Sequence, residues 1–280
     1  MKLTIRAAAV GAALTVTASL LAGCSSGSSS AATTNCTPES QFKTLHDKSL
    51  TVVGPDYPPL FTYQGGTMDG VEGKILEGFT TANCLTADVK TLPAAGVIEA
   101  VKGGQADLAA GGWYPTPERA KVVNLTDPMY GDPVVLVAKN PSARIEDYAG
   151  KKIGTTQGYL WVDDLTKWAG DNAKLYQSPD AVYQDLQAGR IDVALMAVNE
   201  AAYRTSKSPG AGLSYVKADP TQIIAATERP AVTSFPTTKG NDDLTAALNK
   251  YVQKLRDTGK LAEILKQFNI DPSQANPPRS

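Results

Sequence analysis

Gly104-Gln105-Ala106-Asp107-Leu108 and Gly189-Arg190-Ile191-Asp192-Val193 follow one pattern: a glycine, two residues, an aspartate and the first residue of an apolar run. Each closes a helix-like stretch, with Val97, Ile98 and Val101 before the first and residues 181–186 before the second. Glycine stops the helix and the short apolar run behind the aspartate reads as a buried strand. Working outward from the first copy, residues 50–53 form a β run, and residues 71–82 carry Ile75, Leu76 and Phe79 at helical spacing. Downstream, Thr116 and Pro117 supply an N-cap and a first helical residue, and residues 134–138 form a strand broken by Asn140-Pro141. Around the second copy, strands at 152–155, 174–176 and 193–197 alternate with helices at 159–168, 181–186 and 200–206. Residues 214–217 and 222–226 are strand-like, and two amphipathic helices at 242–256 and 260–268 flank Thr258-Gly259. This alternation implies an α/β protein with mostly parallel sheets, built as two lobes of similar plan.

The chain starts with a basic segment, Lys2 and Arg6, and an apolar stretch at 7–20. That stretch is too short, and too rich in Ala, Thr and Gly, for a membrane span, and it reads as a secretory signal peptide. Residues 25–34 are almost wholly Ser, Gly, Ala and Thr, the composition of a flexible tether. A net charge of −1 with no basic run argues against a nucleic-acid partner. Three cysteines and one histidine, His46, without paired spacing, argue against a zinc site, so neither metal nor cofactor is expected. A Ser-His-Asp triad is disfavoured as well, because His46 lies in the polar segment 42–49 and no Gly-x-Ser-x-Gly turn occurs.

Leu21-Ala22-Gly23-Cys24 resembles the lipobox of bacterial lipoproteins, in which the cysteine is lipidated and becomes the new N-terminus; an ordinary cleaved signal is the alternative. With Cys24 assigned to lipid, Cys36 and Cys84 remain for one disulfide or for two buried free thiols. Six segments in order resemble the solute-binding proteins of ABC importers, polar amino acid-binding family (family 3). They are Asp56-Tyr57-Pro58-Pro59, Gly104 to Leu108 with Thr116-Pro117-Glu118-Arg119-Ala120, Thr126-Asp127-Pro128-Met129-Tyr130, Gly150-Lys151-Lys152-Ile153-Gly154, Gly189 to Asp192, and Thr258-Gly259-Lys260-Leu261 to Phe268. The resemblance implies a periplasmic-binding-protein-like fold of type II: two α/β lobes joined by two crossovers and closing on a solute. Mapped here, residues 1–23 are the signal peptide and 24–48 the tether and N-terminal segment. Lobe one is 49–138 plus 232–270, lobe two is 140–229, and 271–280 is a tail. The crossovers fall at 138–141 and 229–232.

The same resemblance assigns Arg119 to a solute carboxylate, which a planar guanidinium holds with two parallel hydrogen bonds. Thr116 opens that helix, Tyr57 forms an aromatic wall, and Asp56 and Phe61 lie beside it. Gly112 permits close backbone approach, while Trp113 and Tyr114 stand where small or hydroxyl residues are usual. In lobe two, Gly158, Tyr159 and Trp161 occupy a segment that usually carries Thr-Thr or Ser-Thr. The aspartate that pairs with an α-ammonium falls on Ala197, leaving Asn199, Glu200, Asp56 and Glu72 as candidate replacements. Asn199 and Glu200 also suit a helix cap and first turn. The expected solute is a carboxylate-bearing small molecule, an amino acid or derivative with ring or apolar bulk. The expected partner is an ABC permease, served by a monomer held at the outer membrane face through N-terminal lipid alone. A cyclohexadienyl (prephenate or arogenate) dehydratase on the same fold, using Glu200, Asp163 or Asp164 as acid, and a ligand sensor for a membrane receptor are the alternatives.

Overall fold

The structure, a computed structural model, describes residues 36–228 and 231–277. The signal peptide, Cys24, the first part of the tether and Arg229 of the expected second crossover lie outside the described residues. The chain runs β1 (Ser49–Gly54), β2 (Thr62–Gln64), β3 (Thr67–Asp69), α1 (Gly70–Ala82), β4 (Thr86–Thr91), α2 (Ala94–Lys102), β5 (Leu108–Ala109), α3 (Pro117–Val122) and β6 (Asn124–Leu125). Then come β7 (Val134–Ala138), β8 (Ile153–Thr156), α4 (Val162–Ala169), β9 (Ala173–Tyr176), α5 (Pro179–Gln187), β10 (Val193–Ala197), α6 (Val198–Lys207) and β11 (Ser214–Lys217). It ends with β12 (Pro236–Thr237), α7 (Asp242–Asp257) and α8 (Lys260–Gln267).

Two five-stranded sheets, ordered β4-β1-β5-β12-β6 and β11-β7-β10-β8-β9, form the two lobes. In each, one strand lies between two parallel neighbours, β1 between β4 and β5 and β8 between β9 and β10. The repeated aspartate does one job in both lobes. Asp107 accepts the amide of Thr51 in β1 at 2.7 Å, and Asp192 accepts the amide of Lys152 just before β8 at 2.8 Å. Each carboxylate thus pins the start of the strand its own strand joins. Apolar residues cover both faces of each sheet: Leu50 and Val52 pack on one side of β1 and Val53 on the other. Leu136 and Val137 divide in the same way on β7. This is why these strands read as unbroken apolar runs. Cys36 and Cys84 are joined as a disulfide, Cα–Cα 5.8 Å, tying the N-terminal segment to the end of α1.

Each sheet is mostly parallel, as expected, with one reversed strand: β7 runs against β10 and β11 in one, and β12 against β5 and β6 in the other. Several other expectations need correction. β7 pairs with β10, so the lobe boundary falls before it, at residues 131–133, and not at 138–141. There the two connections pair with each other, Asp132 N–H donating to the Ala231 carbonyl at 2.8 Å. Residues 159–161 form a turn ahead of α4, and 222–226 gives way to a 3-10 turn at Ala225–Thr227. The tail is not free: Pro272–Ala275 is a 3-10 turn with Ala275 buried, and the Gln274 carbonyl accepts the Gly131 amide at 3.0 Å.

Candidate functional site

A cavity of about 340 Å³ lies between the lobes, lined by loops at the carboxyl ends of β1, β5, β8, β9 and β10. In open α/β sheets this is where ligands collect, because strand ends deliver loops to one edge. The volume is at the small end for ligand pockets, suiting a solute of amino-acid size rather than an oligomer.

Arg119 stands on α3, and the sequence there fixes its direction. The Thr116 hydroxyl accepts the Arg119 amide at 3.1 Å and Pro117 occupies the first helical position. The guanidinium lies over the Trp113 ring, 5.0 Å from its centroid, and Nη1 donates to the Tyr114 carbonyl at 2.7 Å. Trp113 is itself fixed by Nε1 donating to the Ala110 carbonyl at 2.8 Å. Arg119 lines the cavity without an acidic partner within ion-pair distance among the described residues. Burial pulls its pKa down to about 10, so the side chain remains a cation at neutral pH. An aromatic-backed, partly desolvated guanidinium without a counter-ion has the chemistry to take an anion.

Behind this wall, Glu72 of α1 collects three donors. The amides of Gly111 and Gly112 and the hydroxyl of Tyr130 (2.7 Å) all point at its carboxylate. Gly112 has φ +75°, and a Cβ there would meet Leu60 at 2.8 Å, so the turn requires glycine. Burial pushes the Glu72 pKa up to about 7 against these stabilising hydrogen bonds. Glu72 is therefore committed to the turn, and the amides of Gly111 and Gly112 are taken by its carboxylate.

The second committed acid is Glu200, fully buried on α6. Its Oε2 accepts the Tyr57 hydroxyl at 2.9 Å and the Tyr159 hydroxyl at 3.0 Å. Tyr57 follows β1 and Tyr159 follows β8, so one carboxylate gathers a phenol from each lobe. Arg204, one turn along α6, lies 3.8 Å from Glu200 and donates to the Pro58 carbonyl of the other lobe at 3.3 Å. Burial raises the Glu200 pKa, and Arg204 and the two phenols oppose that rise.

Asp56, Tyr57, Gly112, Trp113, Tyr114, Arg119, Gly158, Tyr159 and Trp161 all line the cavity, Asp56 as an exposed residue at its rim. Five expected residues do not, Glu72 behind the Gly111-Gly112 turn being the first. Phe61 is fully buried in the first-lobe core, and the Thr116 hydroxyl is used as a cap. Asn199 donates its amide to Asp132 Oδ1 at 3.1 Å and its side chain to the Gly131 carbonyl at 3.3 Å. Glu200 sits behind its two tyrosines, outside the lining. Asp163 and Asp164 are likewise absent from the cavity wall. Several lining residues carry no signal in the sequence, among them Thr91, Gln177, Ser178 and Asp132; the position of Asp132 in Gly131-Asp132-Pro133 is informative only once the lobe boundary is placed there.

The family profile of the bacterial extracellular solute-binding proteins, family 3, matches residues 50–270. The chain belongs to this family. It is 23% identical over 221 residues to the arginine-binding extracellular protein ArtP of Bacillus subtilis, covering 76% of this chain and 82% of that one. It is 28% identical over 182 residues to the histidine-binding periplasmic protein of Escherichia coli, covering 63% and 69%. Among solved structures, the arginine-, lysine-, histidine-binding protein ArtJ of Geobacillus stearothermophilus aligns with a TM-score of 0.69 at 20% identity, over 79% of this chain and 95% of that one. The shared fold is the two-lobed type II periplasmic-binding-protein fold. Family membership makes this an extracytoplasmic solute-binding protein and not an enzyme.

Proposed function

We propose that this protein is the substrate-binding component of an amino acid ABC importer, lipid-anchored through Cys24 at the outer membrane face. As a monomer it captures a small carboxylate-bearing solute by hinge closure and delivers it to the permease. The observation that carries the reading is Arg119, an acid-free guanidinium on an aromatic face of an amino-acid-sized cavity. The naming of relatives as arginine- and histidine-binding proteins supports the amino acid class. Tyr57, Trp113, Tyr114, Tyr159 and Trp161 supply flat walls for apolar or ring bulk in the solute. A thermal-shift screen of amino acids and related carboxylates tests it, since a ligand of the folded state raises Tm with concentration. A hit whose effect vanishes in Arg119→Ala supports the assignment. Tight binding of an uncharged solute, unchanged by Arg119→Ala, refutes it.

A further inference from the structure

We infer that Asp132 is the receptor for a positively charged ammonium group of the solute, so that the cavity is built for a zwitterion. The inference rests on the carboxylate reading of Arg119 and adds the opposite pole. Asp132 sits at the first crossover with 1% of its surface exposed. Its Oδ1 accepts the Asn199 amide in the first turn of α6 at 3.1 Å, and its main-chain carbonyl accepts the Tyr114 hydroxyl. Its Oδ2 has no partner, although the residue lines the cavity. A buried carboxylate oxygen without a donor is costly unless a ligand brings one.

Arg119 and Asp132, a base and an acid, face the same cavity, yet no ion pair joins them. Tyr114 holds both, its carbonyl on Arg119 and its hydroxyl on Asp132. A fixed guanidinium and a fixed carboxyl that do not pair with one another match a molecule that carries both charges. The other acids are excluded by their surroundings. Glu72 and Glu200 lie outside the lining, Glu72 under three donors and Glu200 under two phenols at Oε2 with the Arg204 cation 3.8 Å from Oε1, and Asp56 is exposed at the rim. The topology also accounts for the missing aspartate at Ala197. Ala197 of β10 is paired with Val134 of β7, so Asp132, just before β7, reaches the same end of the sheet from the neighbouring strand.

The experiment compares L-arginine, L-histidine, L-glutamine, L-tyrosine and L-tryptophan with their des-amino acids, by calorimetry on the wild-type protein and Asp132→Asn. The amide oxygen of Asn keeps the cap on Asn199 while removing the charge. The wild type is expected to prefer at least one amino acid over its des-amino partner by on the order of 100-fold or more, the cost of leaving one charge of a buried pair unmatched. Asp132→Asn should bring that amino acid to the level of its partner and leave the partner within about twofold. A second readout is the proton. Burial, with Glu72, Glu200 and the phenols of Tyr57, Tyr114 and Tyr130 facing it, favours the protonated acid when no cation is present. Binding an amino acid should then release protons, seen as a buffer-dependent heat that is lost in Asp132→Asn. Equal weakening of both partners by Asp132→Asn would make Asp132 a brace of the crossover and overturn the inference. If the wild type does not discriminate while Arg119→Ala abolishes both, the zwitterion inference falls and the carboxylate reading stands. If nothing in the panel binds, both fall.

Discussion

Removing one hydroxyl, in Tyr57→Phe, separates lobe closure from lobe stability. The phenol donates to Glu200 at 2.9 Å across the lobe boundary, so under the proposed hinge mechanism this bond exists only when the lobes are together. The Tyr159 phenol donates to the same oxygen at 3.0 Å from within the lobe that carries Glu200, so its bond persists whether the lobes are open or closed. A hydrogen bond contributes about 0.5–1.5 kcal/mol net, and up to about 3 kcal/mol where the acceptor is charged. Lost from the closed state alone, that is about 2- to 150-fold in apparent affinity, because a ligand selecting the closed form is weakened in proportion to its population. The ring of Tyr57 and its cavity contacts remain in the variant. Calorimetric titration with the best ligand of the thermal-shift screen measures the affinity, and thermal melts of unliganded protein measure the stability. Tyr57→Phe should lose affinity and keep its unliganded Tm, whereas Tyr159→Phe should lower that Tm with a smaller loss of affinity. Wild-type affinity in Tyr57→Phe, or identical behaviour of the two variants, would refute the latch.

Gly158→Ala should also weaken binding, because at φ +85° its Cβ would sit 3.1 Å from the Ala95 amide at the start of α2, on the opposite lobe. The left-handed backbone adds about 1–2 kcal/mol of destabilisation in melts, and unchanged ligand affinity would show that the lobes do not meet there. Stability of the unliganded protein should fall as pH rises from 4.5 to about 7, the window between the ordinary and folded pKa of Glu72. In that window the unfolded chain ionises while the folded carboxyl keeps its proton, a slope of up to about 1.4 kcal/mol per pH unit for one group. Asp132 and Glu200, also raised by burial, act in the same direction, and Glu72→Gln should reduce the slope; a Tm that rises across this range is the contrary result. Cys84→Ser should lower unfolding free energy by about 2–4 kcal/mol through loss of a 48-residue closure, with ligand affinity unchanged. A loss of affinity there would tie the N-terminal segment to the site.

Much of the fold was legible because its signals are local. The Gly-x-x-Asp repeat marks a helix end and a strand start, and both aspartates perform the same pinning bond. Thr116 and Pro117 cap α3 as their residue types require. What the sequence could not yield was sheet membership. Residues 134–138 read correctly as a strand, but an apolar run does not disclose which sheet buries it. Read from sequence, 134–138 ends lobe one, whereas in the fold β7 is the first strand of lobe two.

The place of the lobe boundary decides what Asp132 can do. With the boundary at 138–141, residue 132 lies deep in lobe one. With it at 131–133, the same aspartate stands on the crossover, beside the end of β10 where an acid was expected and alanine was found. The acids that did look available, Glu72 and Glu200, are consumed by donors distant in sequence: the Gly111-Gly112 turn and Tyr130 for one, Tyr57 and Tyr159 for the other. Residue type shows that a carboxylate is present, whereas its availability depends on which donors the fold brings to it. Arg119 was legible for the complementary reason, since its direction is set within a single turn by Thr116, Trp113 and Tyr114.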